Sequence, residues 1–168
     1  METKLMLVAA MLVIAVHARA QNVSTPATTP QSTTDSCLQG AARYHGVNPL
    51  ILRAIIFHES RDDPNLVMKN KNGSIDVGLG GLNSVHFPEL ARYGIGKDQL
   101  LDGCVNVYVS AWHLAKQVKI HGNTWTAVGT YHSKTPSKRD RYATLIFEVL
   151  KSWRAIPPSY GSGGFIGE

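Results

Sequence analysis

A mainly α-helical domain with one small, irregular β-hairpin is the fold class this sequence predicts, on three observations. Apolar residues recur at helical spacing through residues 49–60, 105–121 and 137–153. Start and stop residues flank these stretches: Asn48-Pro49 before the first, Gly122 after the second and Pro157-Pro158 after the third. Only between Asn70 and Asn83 does the pattern break, beginning with Asn70-Lys71-Asn72-Gly73-Ser74, which is turn chemistry.

The first twenty residues stand apart from the fold. Lys4 supplies positive charge, residues 5–16 are apolar or small, and Ala18-Arg19-Ala20 has the small-x-small form of a cleavage site. That combination predicts a secretory signal peptide cut before Gln21, and about twelve apolar residues are too few to span a bilayer. Residues 21–35 are rich in Ser, Thr and Pro and predict a flexible spacer. Residues 37–44 form a short helix stopped by Gly46. In 49–60, Asn48 caps the first turn and Pro49 takes a position where a missing N–H costs nothing. The helix at 105–121 carries Val105, Val109, Trp112, Ala115 and Lys116 on or near one face. Thr124 caps a helix over 124–131, and the last helix, 137–153, turns Tyr142, Ile146, Val149 and Leu150 inward. A Pro/Gly-rich tail follows at 157–168, so the expected folded unit is 36–156.

With 43% hydrophobic and 17% charged residues, the chain suits one globular domain with a substantial core. Export would place Cys37 and Cys104 in an oxidising compartment, the periplasm, where an even cysteine count predicts one disulfide. The net charge of +5, or +4 without the leader, suits a polyanionic partner such as cell wall or a membrane surface. Nucleic acid is excluded by the absence of a basic stripe interleaved with aromatics. No metal or other cofactor is expected. His58-Glu59 would need a second histidine at position 62, which is Asp62, and the remaining histidines lack ligand spacing. Ser60 is not in a nucleophile elbow, so serine hydrolysis has no support either.

The residue that carries chemistry is Glu59. Leu52, Ile55, Ile56 and Glu59 fall at i, i+3, i+4 and i+7, so the carboxyl continues an apolar stripe. Burial and the negative end of the helix dipole both favour its protonated form, which suits a general acid near neutrality. Asp76, seventeen residues on, either caps a turn or faces Glu59 across a cleft. A protonated and an ionised carboxyl so placed cleave glycosidic bonds.

Several spaced motifs resemble the transglycosylase SLT family, the lytic transglycosylases with a lysozyme-like (goose-type) fold. They are Val47-Asn48-Pro49, Leu52-Arg53-Ala54-Ile55, Glu59-Ser60, residues 72–79, residues 101–107 around Cys104, and Thr124-Trp125 through Ser133. Within that family the chain is most similar to the small exported invasion-protein type (IagB/IpgF-like) that accompanies type III and type IV secretion, conjugation and pili. The resemblance implies cleavage of the MurNAc–GlcNAc bond of peptidoglycan with closure of a 1,6-anhydro ring, by a monomer serving an envelope-spanning apparatus. It implies Glu59 as catalytic acid and base, Tyr131 as the residue that bonds and orients it, and Asp76 as a stabiliser of developing positive charge. Ser60, Gly78, Leu79, Gly80, Gly81, Asn83 and His132 would line the glycan groove, and Cys37 would pair with Cys104. One departure stands out. The family's Gly-Leu-Met-Gln-Ile-Asn is here Gly78-Leu79-Gly80-Gly81-Leu82-Asn83, removing two expected sugar contacts. A peptidoglycan-binding scaffold without turnover, and a hydrolytic muramidase using Glu59 with Asp76, are therefore alternative expectations.

Overall fold

The computed structural model describes residues 30–156, with side chains from residue 34 onward. The expected leader and the 157–168 tail lie outside the described residues. Seven α-helices and one three-stranded antiparallel sheet make up the described chain. Helix α1 spans Pro30–His45 and so begins earlier than the expected 37–44, taking residues 30–35 of the predicted spacer into regular structure. Proline is well suited to a first helical position. Leu38, Ala41 and Ala42 give α1 a buried stripe at helical spacing.

Helix α2, Pro49–Ser60, starts as predicted, with the Asn48 side chain accepting from the Leu50 and Ile51 N–H groups. It ends abruptly. Arg61 and Asp62 both take positive φ (55° and 68°), an uncommon conformation for residues with a side chain. A two-pronged ion pair from Arg53 on α2 to the Asp62 carboxylate holds that reversal in place.

The expected hairpin is a three-stranded meander: β1 (Val67–Lys69), β2 (Ile75–Val77) and β3 (Leu82–Asn83). Met68 opposes Asp76, and Asp76 opposes Asn83. The sequence reading missed β1 because Val67-Met68-Lys69 is exposed along its whole length, so no alternation marks it. Residues 84–101 fold into short 3₁₀ turns and two single-turn helices, α3 (Phe87–Leu90) and α4 (Lys97–Leu100).

Helix α5, Gly103–His121, is the central helix, capped by the Asp102 carboxylate at the Val105 N–H. Its buried face differs from the expected one. Val109 is buried as predicted, but Trp112, Val105 and Lys116 are only partly buried. The inward stripe includes Asn106, Ser110, His113 and Gln117. Helices α6 (Trp125–His132) and α7 (Pro136–Ser152) match the expectation closely, including the Thr124 cap. The Cys37–Cys104 disulfide, with Cα atoms 5.4 Å apart, ties α1 to the start of α5.

Two apolar clusters result. One gathers side chains from α1, α2, α5, α6 and α7, including Leu52, Ile55, Ile56, Leu114 and Ile146, with Leu79 from the turn between β2 and β3. The other joins Val77, Leu82, Leu90, Leu100 and Val109, fixing the sheet and the small helices to α5. The sheet is thus anchored on α5, while α2 and α7 belong to the helical cluster.

Candidate active site

Glu59 lies in the last turn of α2, carried there by the stripe that buries Leu52, Ile55 and Ile56 completely. Its carboxyl lines two cavities that also share Met68, His132 and Lys138. The larger, about 560 Å³, runs over the sheet past Asn70, Lys71, Asn72, Ser74, Asp76, Gly81 and Asn83, with Tyr131 in its wall. The smaller, about 330 Å³, lies against α7 and adds His58, Arg141, Tyr142 and Leu145. Glu59 therefore has space for substrate on two sides.

Burial raises the Glu59 pKa from 4.5 to about 7, with a further push from the nearby negative charge of Asp76. A hydrogen bond opposes that rise: the Tyr142 hydroxyl donates to Oε1 at 2.5 Å. Burial and the adjacent carboxylate hold Tyr142 well above its ordinary pKa, so it remains a donor throughout the working pH range. His132 stacks on the Tyr142 ring, with centroids 4.9 Å apart and planes within 3°, and His58 meets the same ring edge-on.

The orienting tyrosine is therefore not the expected one. Tyr131 donates to the Gly80 carbonyl at 2.8 Å, while Tyr142, read from sequence as an inward core residue, holds Glu59. A buried tyrosine hydroxyl requires a partner, and that requirement was the available signal.

Asp76 faces the larger cavity, but its oxygens are engaged. Oδ1 accepts from the Asn83 amide at 2.6 Å and Oδ2 from the Asn70 amide at 2.8 Å. Asp76 is thus held in place beside Glu59 rather than capping a turn.

The turn between β2 and β3 is fastened from behind. Asn106, fully buried on α5, accepts from the Gly80 N–H at 2.8 Å and donates to the Val77 and Leu100 carbonyls. A Cβ at Gly80 would lie 1.9 Å from Ser110 Oγ and 2.9 Å from the Tyr131 hydroxyl. At Gly81, φ is +57° and a Cβ would lie 2.6 Å from Glu59 Oε2. The two glycines let this backbone pass between α5 and the carboxyl. With the surroundings as they stand, a side chain at position 80 requires Ser110 to shift, and one at position 81 requires the Glu59 carboxyl to shift.

Among the expected groove residues, Gly81, Asn83 and His132 line it. Four do not, Gly80 among them, since it packs against Ser110 and Tyr131. Ser60 is buried with its hydroxyl donating to the Ile56 carbonyl, Leu79 lies in the helical core, and Gly78 (φ +70°) packs against Asn106 and Leu100. Among the described residues, no three His, Cys, Asp or Glu side chains cluster as a metal site.

Residues 36–143 match the family model described as the transglycosylase SLT domain. The chain belongs to the transglycosylase SLT family. Its helices and small sheet are the lysozyme-like arrangement of that family. The match encloses Glu59, Asp76, the 78–81 turn, Tyr131 and Tyr142. The chain is 38% identical over 125 residues to Invasion protein IagB of Salmonella typhimurium, covering 71% of this chain and 78% of that protein. It is 37% identical over 129 residues to X polypeptide of Escherichia coli (74% and 76% covered). A third relative, a Peptidoglycan-binding-like protein of Escherichia coli O157:H7, is 32% identical over 126 residues, with 68% and 75% covered.

Proposed function

We propose that this protein is a periplasmic lytic transglycosylase that cleaves peptidoglycan glycan strands between N-acetylmuramic acid and N-acetylglucosamine. The observation that carries the reading is Glu59: a carboxyl whose pKa is raised by burial to about 7, fixed by Tyr142 and open to cavities on both sides. In its protonated form it donates to the glycosidic oxygen as the bond to C1 breaks. The resulting carboxylate then takes the proton of the muramyl C6 hydroxyl, whose oxygen closes onto C1 as a 1,6-anhydro ring, regenerating the acid. Because the nucleophile belongs to the substrate, one protein carboxyl serves both steps. Asp76, held by Asn70 and Asn83, supplies fixed negative charge for the oxocarbenium-like transition state.

The leader pattern in the first twenty residues supports the periplasmic site of action. The biological role we propose is local opening of the wall for an envelope-spanning apparatus, and similarity to a protein named for invasion is compatible with it.

Mass analysis of digested sacculi tests the reaction. Transglycosylation releases anhydro-muropeptides, lighter by one water than muramidase products, and Glu59→Gln abolishes their release. Products carrying the added water, or parental release by Glu59→Gln, would refute the assignment.

A further inference from the structure

The groove walls carry cations that the reaction at Glu59 does not use. Lys138 lies on the rim shared by both cavities, Lys71 on the turn above the larger, and Arg141 over the smaller. Lys138, Arg141, Tyr142 and Leu145 follow one another at helical spacing on the groove face of α7. All three cations are exposed, and none pairs with a carboxylate. The ion pairs among the described residues are Arg53–Asp62, Lys116–Glu89, Arg139–Asp140 and Lys151–Glu148.

Two details sharpen the observation. Lys138 falls in the first turn of α7, where the helix dipole disfavours positive charge and where no acidic residue offsets it. The carboxyls lining the cavities are Glu59, protonated up to about neutrality, and Asp76, already bonded by two amides. His58 and His132 do not add charge near neutrality, since burial lowers both. The groove therefore presents unneutralised Lys and Arg side chains on both sides of its catalytic carboxyl, a surface complementary to an anion carried by the substrate.

We infer that Lys138 and Arg141, assisted by Lys71, form a subsite for the carboxylates of the peptide branches borne by the glycan, so that peptide-bearing strands are the preferred substrate. The inference rests on the peptidoglycan reading above and extends it. In a peptide-bearing strand the lactyl group is amide-linked and the glycan backbone uncharged, so the branch carboxylates are the anions left to meet these side chains, and lysine and arginine bond carboxylates.

Binding and turnover together test it. Peptide-bearing glycan strands are prepared in two forms, with the branch carboxylates intact and with those carboxylates converted to amides by carbodiimide coupling to ammonia; the lactyl group is amide-linked in both. The disulfide-intact Glu59→Gln protein is titrated with each. The intact form is expected to bind about tenfold more tightly at low salt, the scale of one hydrogen bond to a charged group, and the advantage is expected to shrink as salt rises. Adding Lys138→Gln and Arg141→Gln brings the two Kd values together. An equal charge loss elsewhere, Lys97→Gln with Lys119→Gln, leaves the difference in place. Equal Kd values for the two strands, or a difference that survives the Lys138 and Arg141 changes, would overturn the inference. Failure of the wild-type protein to release anhydro products, with the binding difference intact, would instead overturn the reaction and leave the subsite standing.

Discussion

Burial of Glu59 has a consequence for stability that can be measured without substrate. The folded protein holds the Glu59 proton with a pKa of about 7, whereas an unperturbed glutamate holds it with a pKa of 4.5. Between those values the folded state binds more protons than the unfolded state, so stability falls as pH rises. The contribution is fully present below about pH 4.5 and is lost by the time pH passes 7. The difference corresponds to about 3 kcal/mol. Glu59→Gln removes this titration while keeping an amide oxygen for the Tyr142 hydroxyl. Histidines with lowered pKa, such as His113 at about 4, titrate equally in both proteins and cancel in the comparison. Urea unfolding of wild type and Glu59→Gln at about pH 4 and pH 8, disulfide intact, reads the difference. With a urea m-value near 2 kcal/mol/M, the gap between the two midpoints should move by about 1.5 M in favour of the variant at the higher pH. A gap that stays constant between the two pH values would show that Glu59 is ionised and solvated, and the general-acid argument would fail with it.

The same geometry fixes three further outcomes. Tyr142→Phe removes the bond that lowers the Glu59 pKa, so the alkaline fall of activity should move to higher pH while kcat drops about ten- to a hundredfold; an unmoved pH profile would refute the contact. Gly81→Ala puts a methyl 2.6 Å from Glu59 Oε2 in a positive-φ position and should cost 1 kcal/mol or more of stability, roughly, together with most of the release of anhydro products; parental activity would show that the turn is free to move. Asn106→Leu strands the Gly80 N–H and the Val77 and Leu100 carbonyls, and should lower stability by about 2–4 kcal/mol in thermal unfolding, against under 1 kcal/mol if water replaces the amide.

Helical periodicity and end chemistry made most of the fold legible. Asn48, Gly122 and Thr124 each mark a boundary that the backbone keeps, because a cap or a φ requirement acts locally. What escaped was non-local. Strand β1 carries no burial pattern and exists through its pairing with β2. The inward face of α5 was misjudged because its buried stripe includes polar residues. Asn106, Ser110 and His113 are inside because backbone groups of the 77–80 segment, of Leu100, of α5 itself and of Tyr131 need partners there, a demand invisible until those segments meet.

The burial of Glu59, the proposed catalytic carboxyl, was legible for the same reason as the helices: its position on an apolar stripe is a local fact. Its surroundings were not, and the two tyrosines show why. Tyr142 was inward in sequence and the family pattern favoured Tyr131, yet the packing of α7 on α2 and of α6 on α5 decides which hydroxyl reaches Oε1. Gly80 and Gly81 carry the argument further. As sequence they read as two lost sugar contacts; in the fold they also let the turn lie close against Ser110 and Glu59, whose side chains would have to shift for any larger residue. Any substrate contact that side chains at 80 and 81 would have made must therefore come from elsewhere along the groove. Asn70, Asn72, Ser74 and Asn83 supply amides and hydroxyls on the sheet side, and Lys71, Lys138 and Arg141 supply charge at the rim. Those groups sit on the β1–β2 turn, the sheet and α7, so binding selectivity here is built beside the glycine turn and not from it.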